Sequence, residues 1–327
     1  HGSHHSRSHH KHHSHHKSTV DNIANQSNAI NESETSLPAS SSSPTVDSDT
    51  ELITDSENIT RPMRTDRPHI IMIIVDDLGS NDLGRDSSDL SFATPTLDSL
   101  AENGIQLTRY YTQSSCTPAR AALLTGVYPA AMGMGYDTRG SFVSYSPYGV
   151  PLTFRMIPSY LKEYGYMTHM VGKWNIGHFE EEYLPHARGF DTALFFMTDS
   201  INYYNYSMMP RASNVSEIVD MLIGNTASPE PYIIPGINCT GVYSTKLFTD
   251  EATRIIGDFN VSDRAAPLFL YLAYQAVHTP HENPPQAWID SDQIELLKRS
   301  QAPKLRQGFA RTLMNFDKGV KRVLNSL

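Results

Sequence analysis

The chain has 327 residues, of which 39% are hydrophobic, and a formal net charge of −9. This length and composition are typical of a globular protein with one sizeable core. The acidic balance and the lack of any Lys/Arg-rich stretch argue against nucleic acid as a partner. Because no stretch of about 18 apolar residues occurs, we expect no transmembrane segment.

The first 66 residues differ in composition from the rest of the chain. They are rich in His, Ser, Thr, Asp and Asn and have no sustained apolar period, which predicts a disordered tail at 1–66 and a folded domain at 67–327. The opening tract, HGSHHSRSHHKHHSHHKS, could bind transition metals through its imidazoles. A solvated low-complexity tail or tag is the more common meaning of such a tract.

Seven Asn-x-Ser/Thr sequons favour a secretory route. Four glycosylation candidates lie in the predicted domain, at Asn205, Asn214, Asn238 and Asn260. The two cysteines, Cys116 and Cys239, are too few for a disulfide scaffold and have no zinc-finger spacing. A free or buried thiol is expected at Cys239.

The folded part begins with alternating strand and helix signals. Residues 69–75, HIIMIIV, predict a strand buried on both faces that ends in Asp76 and Asp77. Thr94 and Pro95 then predict a helix start, with the Thr94 hydroxyl as its cap, and a second strand is expected at 105–112.

Further elements follow the same alternation. A helix is predicted to begin near Cys116 and to end at Gly126, with another at 158–165. The strand at 166–171 leads to Lys173, and the strand at 268–274 leads to His278. Apolar residues at helical spacing predict helices over 247–259 and 309–327. The order predicts an α/β fold with a mostly parallel sheet between helices.

Chemically capable side chains follow three of the predicted strands. Asp76 and Asp77, Lys173, and His278 come just after strand ends, and Cys116 lies at a helix N-terminus. In an open α/β sheet, ligands bind at the carboxyl ends of the strands, and a helix N-terminus attracts anions. From these residues alone we expect a site for an anionic group next to a cation.

The sequence CTPAR at 116–120, followed by LTG at 124–126, matches the CxPxR signature of type I sulfatases, whose cysteine is oxidised to formylglycine. The segments IIVDDLG at 73–79, THMVGKW at 168–174 and PLFLYLAYQAVHTP at 267–280 resemble arylsulfatases B, I and J. The resemblance covers 67–327. It implies the sulfatase fold, which is like that of alkaline phosphatase, interrupted before its C-terminal strands.

The resemblance also implies roles for site residues. Asp76, Asp77 and Cys116 would bind one calcium ion, and Cys116, as 3-oxoalanine (formylglycine), would supply the nucleophilic oxygen. Arg120 would hold that oxygen and the carboxylates on the metal side.

The same resemblance assigns the substrate-binding residues. Lys173 and His278 would be catalytic and would bind the sulfate, together with Asn175. Taken alone, a lysine or histidine at a strand end is most often simply solvated.

Two departures from the family pattern stand out. The family motif GKWHLG here reads GKWNIG, so Asn175 replaces a histidine and cannot act as a base. Turnover is then expected to stall at a sulfated intermediate, unless His178 takes over. The chain also ends at Leu327, before the family's Asp-Asn pair that completes calcium coordination, so weak calcium binding is expected.

The resemblance implies a sulfuric ester hydrolase of the N-acetylgalactosamine-4-sulfatase type, acting on sulfated glycans or aryl sulfates. Its partner would be the formylglycine-generating enzyme, and its location lysosomal or extracellular. The alternative is a catalytically inactive secreted protein that binds sulfated glycans or a protein partner. A phosphatase of the same superfamily would carry Ser or Thr in place of Cys116.

Overall fold

The computed structural model describes residues 67–134, 141–208, 218–226, 228–233, 240–261, 266–300 and 302–327. The predicted tail, Asn214, Asn238 and Cys239 lie outside these ranges. The described strands are β1 (Ile70–Ile74), β2 (Met167–Lys173), β3 (Thr192–Phe196), β4 (Leu222–Asn225), β5 (Ser228–Ile233) and β6 (Leu268–Ala273). The described α-helices are α1 (Pro95–Asn103), α2 (Cys116–Thr125), α3 (Ile157–Glu163), α4 (Ser244–Val261), α5 (Ser291–Arg299) and α6 (Lys304–Leu324).

The strands form one mixed sheet in the order β1-β6-β2-β3-β4-β5. The pairs β1–β6, β6–β2 and β2–β3 are parallel, whereas β3–β4 and β4–β5 are antiparallel. The predicted α/β class and the mostly parallel sheet are therefore confirmed. Because β6 lies between β1 and β2, the carboxyl ends of these three strands lie side by side.

Strand β6 is buried on both faces, as its continuous apolar sequence predicts. Leu270 and Leu272 pack on one face of the sheet, while Phe269 and Tyr271 pack on the other. Helices α4, α5 and α6 contribute to the first core and helix α2 contributes to the second, with side chains of α3 packed against it. Helices thus cover both faces of the sheet.

Gly172 allows β2 and β6 to approach closely beside the strand ends. Its φ is +106°, and a Cβ atom there would lie 1.9 Å from the carbonyl oxygen of Ala273. Any side chain would clash with backbone that cannot move without separating the strands. Glycine at this position therefore sets the approach of Lys173 to its neighbours.

Helix α1 starts at Pro95 as predicted, but its expected cap is wrong. The Thr94 hydroxyl accepts a hydrogen bond from Gly84 N at 2.6 Å and donates to Asp98 at 3.1 Å instead of capping the helix. The amides of Thr96 and Leu97 donate to the carboxylate of Asp317 in α6, at 3.1 and 2.9 Å. A distant residue therefore satisfies the donors of the first turn.

The strand predicted at 105–112 is also wrong. The segment has no regular secondary structure, and Ile105 and Tyr111 are 93% and 86% exposed. A strand needs a neighbour for its backbone hydrogen bonds, and none of the six described strands pairs with this segment. Its apolar residues alone do not make it a strand.

Three strands and one α-helix were not predicted from the sequence, namely β3, β4, β5 and α5. Strand β3 carries a detectable signal, the apolar run TALFF, which follows Asp191. Strands β4 and β5 are short and pair with each other antiparallel at one side of the sheet. Within the described residues, no helix combines the length and apolarity needed to cross a membrane.

Candidate active site

Three adjacent strand ends and the start of α2 bring the predicted site residues together. Asp76 follows β1, and its backbone N–H and C=O extend the pairing with the segment after β6, bonding to Ala276 O at 2.9 Å and Val277 N at 2.8 Å. Lys173 is the last residue of β2, and Cys116 is the first of α2. The expected meeting of these elements at one sheet edge is present.

Asp76 is the centre of a buried charge cluster. Its Oδ2 accepts a hydrogen bond from Lys173 Nζ at 2.5 Å, and its Oδ1 lies 3.5 Å from an Arg120 guanidinium nitrogen. Burial opposes ionisation of Asp76, but Lys173 and Arg120 outweigh burial and lower the pKa of Asp76 to about 2. The carboxylate is therefore charged throughout the neutral range, between two fixed cations.

The thiol of Cys116 faces this cluster. Its Sγ lies 3.4 Å from Asp76 Oδ1. Burial raises the pKa of the Cys116 thiol; Lys173 and Arg120 lower it, and Asp76 raises it further. The net direction is upward, so the thiol is protonated at neutral pH and is not an activated nucleophile as it stands.

Arg120 lies one helical turn after Cys116 and is only 3% exposed. Its Nη1 donates to the Lys173 carbonyl at 3.2 Å and lies 3.5 Å from the Tyr271 hydroxyl. The guanidinium thus joins α2 to the ends of β2 and β6. Tyr271 was not predicted as a site residue. Side chains alternate between the two faces of a strand, so the sequence of β6 could have shown that Tyr271 and Phe269 share one face.

His278 occupies the third strand end. Its Nδ1 lies 2.7 Å from the carbonyl oxygen of Thr279, and its Nε2 lies 3.5 Å from Asp77 Oδ2. The Tyr203 hydroxyl donates to the His278 carbonyl at 2.8 Å and holds the backbone. Asp77 has a φ of +59° and a side chain that is 58% exposed, so it contacts His278 from the solvent-exposed part of the site.

A cleft of about 480 Å³ opens beside these residues. Asp76, Asp77, Cys116 and Arg120 line it, together with Tyr110 and residues 112–115. The cleft therefore gives solvent and a ligand access to the start of α2.

Asn175 is wholly buried, and both the nitrogen and the oxygen of its amide group are hydrogen-bonded. Its Nδ2 donates to Phe142 O at 2.7 Å, and its Oδ1 accepts from Thr117 at 3.1 Å and Ser141 at 3.3 Å. The hydroxyl of Thr117, the residue after Cys116, also lies 2.8 Å from the Asn175 carbonyl oxygen, so its one proton is shared between two oxygens of Asn175. Asn175 thus ties the start of α2 to the end of β2. Its predicted substrate contact stays a prediction.

His178 has a different environment. Both ring nitrogens are buried and have no hydrogen-bond partner among the described residues. Burial lowers the pKa of His178, while the charge of Asp199 opposes this. The imidazole is neutral at pH 7, and its suggested replacement of the family histidine stays a prediction.

The family model for sulfatases matches residues 68–327. A charged site at the strand ends of an α/β sheet and this match define the class: the chain belongs to the sulfatase family. It is 36% identical to mouse arylsulfatase J over 220 residues, which are 67% of this chain and 34% of that protein. It is 34% identical to human arylsulfatase A over 224 residues, 65% of this chain and 42% of that protein.

Solved structures agree on the fold. The crystal structure of Ps i-CgsB has a TM-score of 0.64 and 29% identity, and the match covers 80% of this chain and 55% of that chain. The same protein in complex with k-i-k-neocarrahexaose has a TM-score of 0.63 and 28% identity, over the same shares of the two chains. The chain spans between about a third and a half of the length of the curated relatives it matches.

The donors at the site do not fit the calcium ion that the family resemblance implies. The described side chains whose ligand atoms lie within 4.8 Å of one another are Asp76, Cys116 and His278, which offer oxygen, sulfur and nitrogen. Calcium prefers about six to eight oxygen ligands. Because only one of these three donors is an oxygen and Asp76 is already held by Lys173, these residues alone make a poor calcium site.

Proposed function

We propose that the protein hydrolyses sulfate monoesters of sugars or aryl groups. The observation that carries this proposal is the placement of Cys116, at the start of α2 and beside the cleft, within the Asp76–Lys173–Arg120 cluster. Hydrolysis breaks the S–O ester bond, adds water across it, and releases an alcohol and sulfate. Two fixed cations suit a reaction in which negative charge moves on the sulfate oxygens.

Formylglycine at position 116 is part of this proposal. The motif CTPAR with LTG downstream supports conversion by the formylglycine-generating enzyme. The converted residue, when hydrated, supplies the oxygen nucleophile that the protonated thiol cannot. Because Cys116 borders an open cleft and faces Arg120 and Asp76, polar groups surround the place where such oxygens would lie.

The other residues bind and orient the substrate. Lys173 carries a fixed charge at the end of β2 and would attract the sulfate, while Asp76 holds its ammonium group. Arg120 would hold the nucleophile's oxygen through its guanidinium. His278, whose side chain is 17% exposed, would donate a proton or hydrogen bond to the leaving oxygen.

The relatives support the proposed substrate class. Arylsulfatases and N-acetylgalactosamine-6-sulfatases are among them, and one related structure contains a neocarrahexaose, which favours a sulfated saccharide or aryl sulfate.

The sequons support a secretory route ending in the lysosome or outside the cell. Asn205 is half-buried and its Oδ1 accepts from Ser207 N at 3.1 Å, and Asn260 lies in the last turn of α4.

A second function is favoured by Asn175. An asparagine side chain cannot take up a proton near neutral pH, so position 175 lacks the base that the family's histidine supplies. The amide is also buried and hydrogen-bonded within the protein. Both points support a sulfatase-like protein that binds sulfated glycans, or a protein partner, without turnover. Wild-type turnover of an aryl sulfate separates the two candidates, and replacement of Asn175 by histidine tests the role of that position. If Asn175→His raises kcat on an aryl sulfate, the chemistry lacked only that base. No rise means that position 175 is structural here.

The test uses the full chain from a secretory eukaryotic host. Tryptic mass spectrometry should find formylglycine at position 116, and wild type should hydrolyse an aryl sulfate or a sulfated galactosamine. Cys116→Ala should lose all activity, whereas Cys239→Ala, the matched control at the other cysteine, should keep it. An unmodified thiol together with wild-type activity no greater than that of Cys116→Ala would overturn the proposal.

A further inference from the structure

A set of exposed aromatic side chains lies beside the start of α2, outside the charge cluster. The segment 141–150, SFVSYSPYGV, packs on Thr117, the residue after Cys116, because the Phe142 N–H donates to the Thr117 hydroxyl at 2.8 Å. The ring of the exposed Tyr148 has its centre 6.4 Å from the centre of the Phe142 ring. Aromatic surface is therefore exposed close to the buried charges but separate from them.

The chain after β2 adds two further rings to this surface. Gly149 and Gly177 pair antiparallel, and the Tyr183 ring packs so closely on Gly149 that a Cβ atom there would lie 2.1 Å from Tyr183 Cδ1. The exposed Phe179 ring has its centre 4.5 Å from the centre of the Tyr183 ring. Tyr148, Phe179 and Tyr183 together are called the aromatic platform below.

The backbone of the platform is held by the core beneath it. The buried Trp174 donates its indole N–H to the carbonyl oxygens of Gly177 and Tyr183, at 3.0 and 2.9 Å. Asn175 Nδ2 donates to the Phe142 carbonyl at 2.7 Å. A surface that is fixed before binding loses less entropy when a ligand associates with it.

Tyr145 has an uncommon backbone conformation in the turn that precedes Tyr148. The Ser146 N–H donates to the Val143 carbonyl at 3.0 Å, and Tyr145 has a φ of +68°, at a turn position where glycine is usual. Its side chain is exposed, so burial does not offset the cost of this conformation. Strained residues of this kind cluster at ligand sites, which supports ligand binding by this segment.

The charges around the platform favour a neutral occupant. Residues 141–150 include no charged side chain, whereas Glu180, Glu181 and Glu182, between two of the rings, are all exposed. This acidic border repels sulfate groups and carboxylates. The face of an aromatic ring carries partial negative charge, so it attracts the partially positive C–H groups on the face of a sugar ring.

We propose that the aromatic platform binds an unsulfated sugar ring next to the sugar whose sulfate ester reaches Cys116. The inference rests on the proposed sulfatase function and deepens it. Thr117 and Phe142 separate Cys116 from the platform, so one ring cannot occupy both places. The preferred substrate is then a saccharide of at least two rings with its sulfate on the ring at the site, rather than an aryl sulfate or a highly sulfated chain.

The test measures binding to the full chain from a bacterial host without formylglycine-generating activity, so that no ester is consumed. The probes are a sulfated N-acetylgalactosamine, the same sugar extended by one neutral ring, and the extended sugar with a second sulfate on that ring. Ligand-observed NMR titration at pH 8, where the imidazoles of the tail are neutral, gives each Kd. The neutral ring should lower Kd about tenfold through stacking, and the second sulfate should cancel this gain.

Variants locate the binding of the added ring. Tyr148→Ala and Phe179→Ala should each reduce the tenfold ratio between the one-ring and two-ring Kd values to below about threefold. The Kd of the one-ring probe should not change, which shows that the variants are folded. Tyr164→Ala is the matched control, because Tyr164 is similarly exposed but precedes β2 at the opposite end of the strand. It should keep the wild-type ratio, as should Tyr148→Phe, which retains the ring.

The proposal is overturned by equal Kd values for the one-ring and two-ring probes, by tighter binding of the disulfated probe, or by a wild-type ratio in either alanine variant. None of these results affects the sulfatase proposal, which is tested by formylglycine and turnover in the secreted protein. Conversely, absence of turnover together with the tenfold ratio would identify a protein that binds sulfated saccharides without hydrolysing them. The two failures are therefore distinguishable.

Discussion

Two regions that precede or face the start of α2 differ in what holds them. The ends of β1 and β2 carry paired charges that are almost entirely buried, with Lys173 0% and Asp76 5% exposed. The segment 105–113 is largely exposed and has no strand partner among the described residues, with Leu107 70% exposed. An apolar run becomes a buried strand only where a neighbouring strand satisfies its backbone hydrogen bonds.

The comparison predicts that stability depends strongly on one region and little on the other. Burying the Lys173 and Asp76 charges is tolerated because they neutralise each other at 2.5 Å. The side chains of the exposed segment are already in contact with water in the folded state, so changing them should alter the free energy of unfolding little. The three predictions below test this difference, from the largest expected effect to the smallest.

Lys173→Met should destabilise the protein by about 3 kcal/mol, because it leaves Asp76 buried without its nearest cation while Arg120 remains. Lys162→Met is the matched control, since Lys162 pairs with Asp191 at 2.7 Å but is 37% exposed, and it should cost under about 1 kcal/mol. Urea denaturation measures both. Equal losses would remove the distinction between the two pairs.

Asp76 should make stability fall in acid. Its folded pKa of about 2 lies below its ordinary value of 3.8, so its stabilisation is full above about pH 4 and is lost as pH falls towards 2. The difference corresponds to roughly 2 kcal/mol. When urea unfolding is measured across this pH range, the free energy of unfolding of Asp76→Asn should lack this pH-dependent contribution. The exposed control Asp86→Asn should keep the wild-type slope, and an unchanged slope in Asp76→Asn would contradict the prediction.

Leu107→Ala should change the free energy of unfolding by less than about 0.5 kcal/mol, because the side chain is largely in water. Leu272→Ala, at a residue of β6 that is 0% exposed, should cost about 3 kcal/mol through loss of burial and a cavity. Thermal or urea unfolding compares them. A large loss at Leu107 would mean that the segment packs in solution.

Much of the parallel sheet could be predicted from local pattern. The runs HIIMIIV and LFLYLA are short, apolar and bounded by polar residues, so β1 and β6 follow from periodicity, and α6 follows from its apolar face. The order of the elements placed Asp76, Lys173 and His278 at one edge. Strands β4 and β5 could not be found this way, since they are short and depend on pairing with β3 and each other.

The sequence was enough to name candidate residues that lie near one another, but not to predict how they are arranged. The sequence gives no means of knowing that Asp77 lies outside the buried cluster while His278 lies beside Cys116, since that depends on the turn after β1. The capping of α1 by Asp317, more than 200 residues away, is equally invisible. Local sequence patterns identify polar side chains that can form contacts, but not the residues distant in sequence that they contact.

By itself, the sequence determined the α/β class, the strand ends that carry charge, and the motif around Cys116, because these depend on residues close together in the chain. Only the tertiary structure decided that Asn175 is buried against α2, that 105–112 is not a strand, and that oxygen, sulfur and nitrogen donors meet at one point. The physical reason is that burial, strand pairing and the distance between donors are set by elements far apart in sequence.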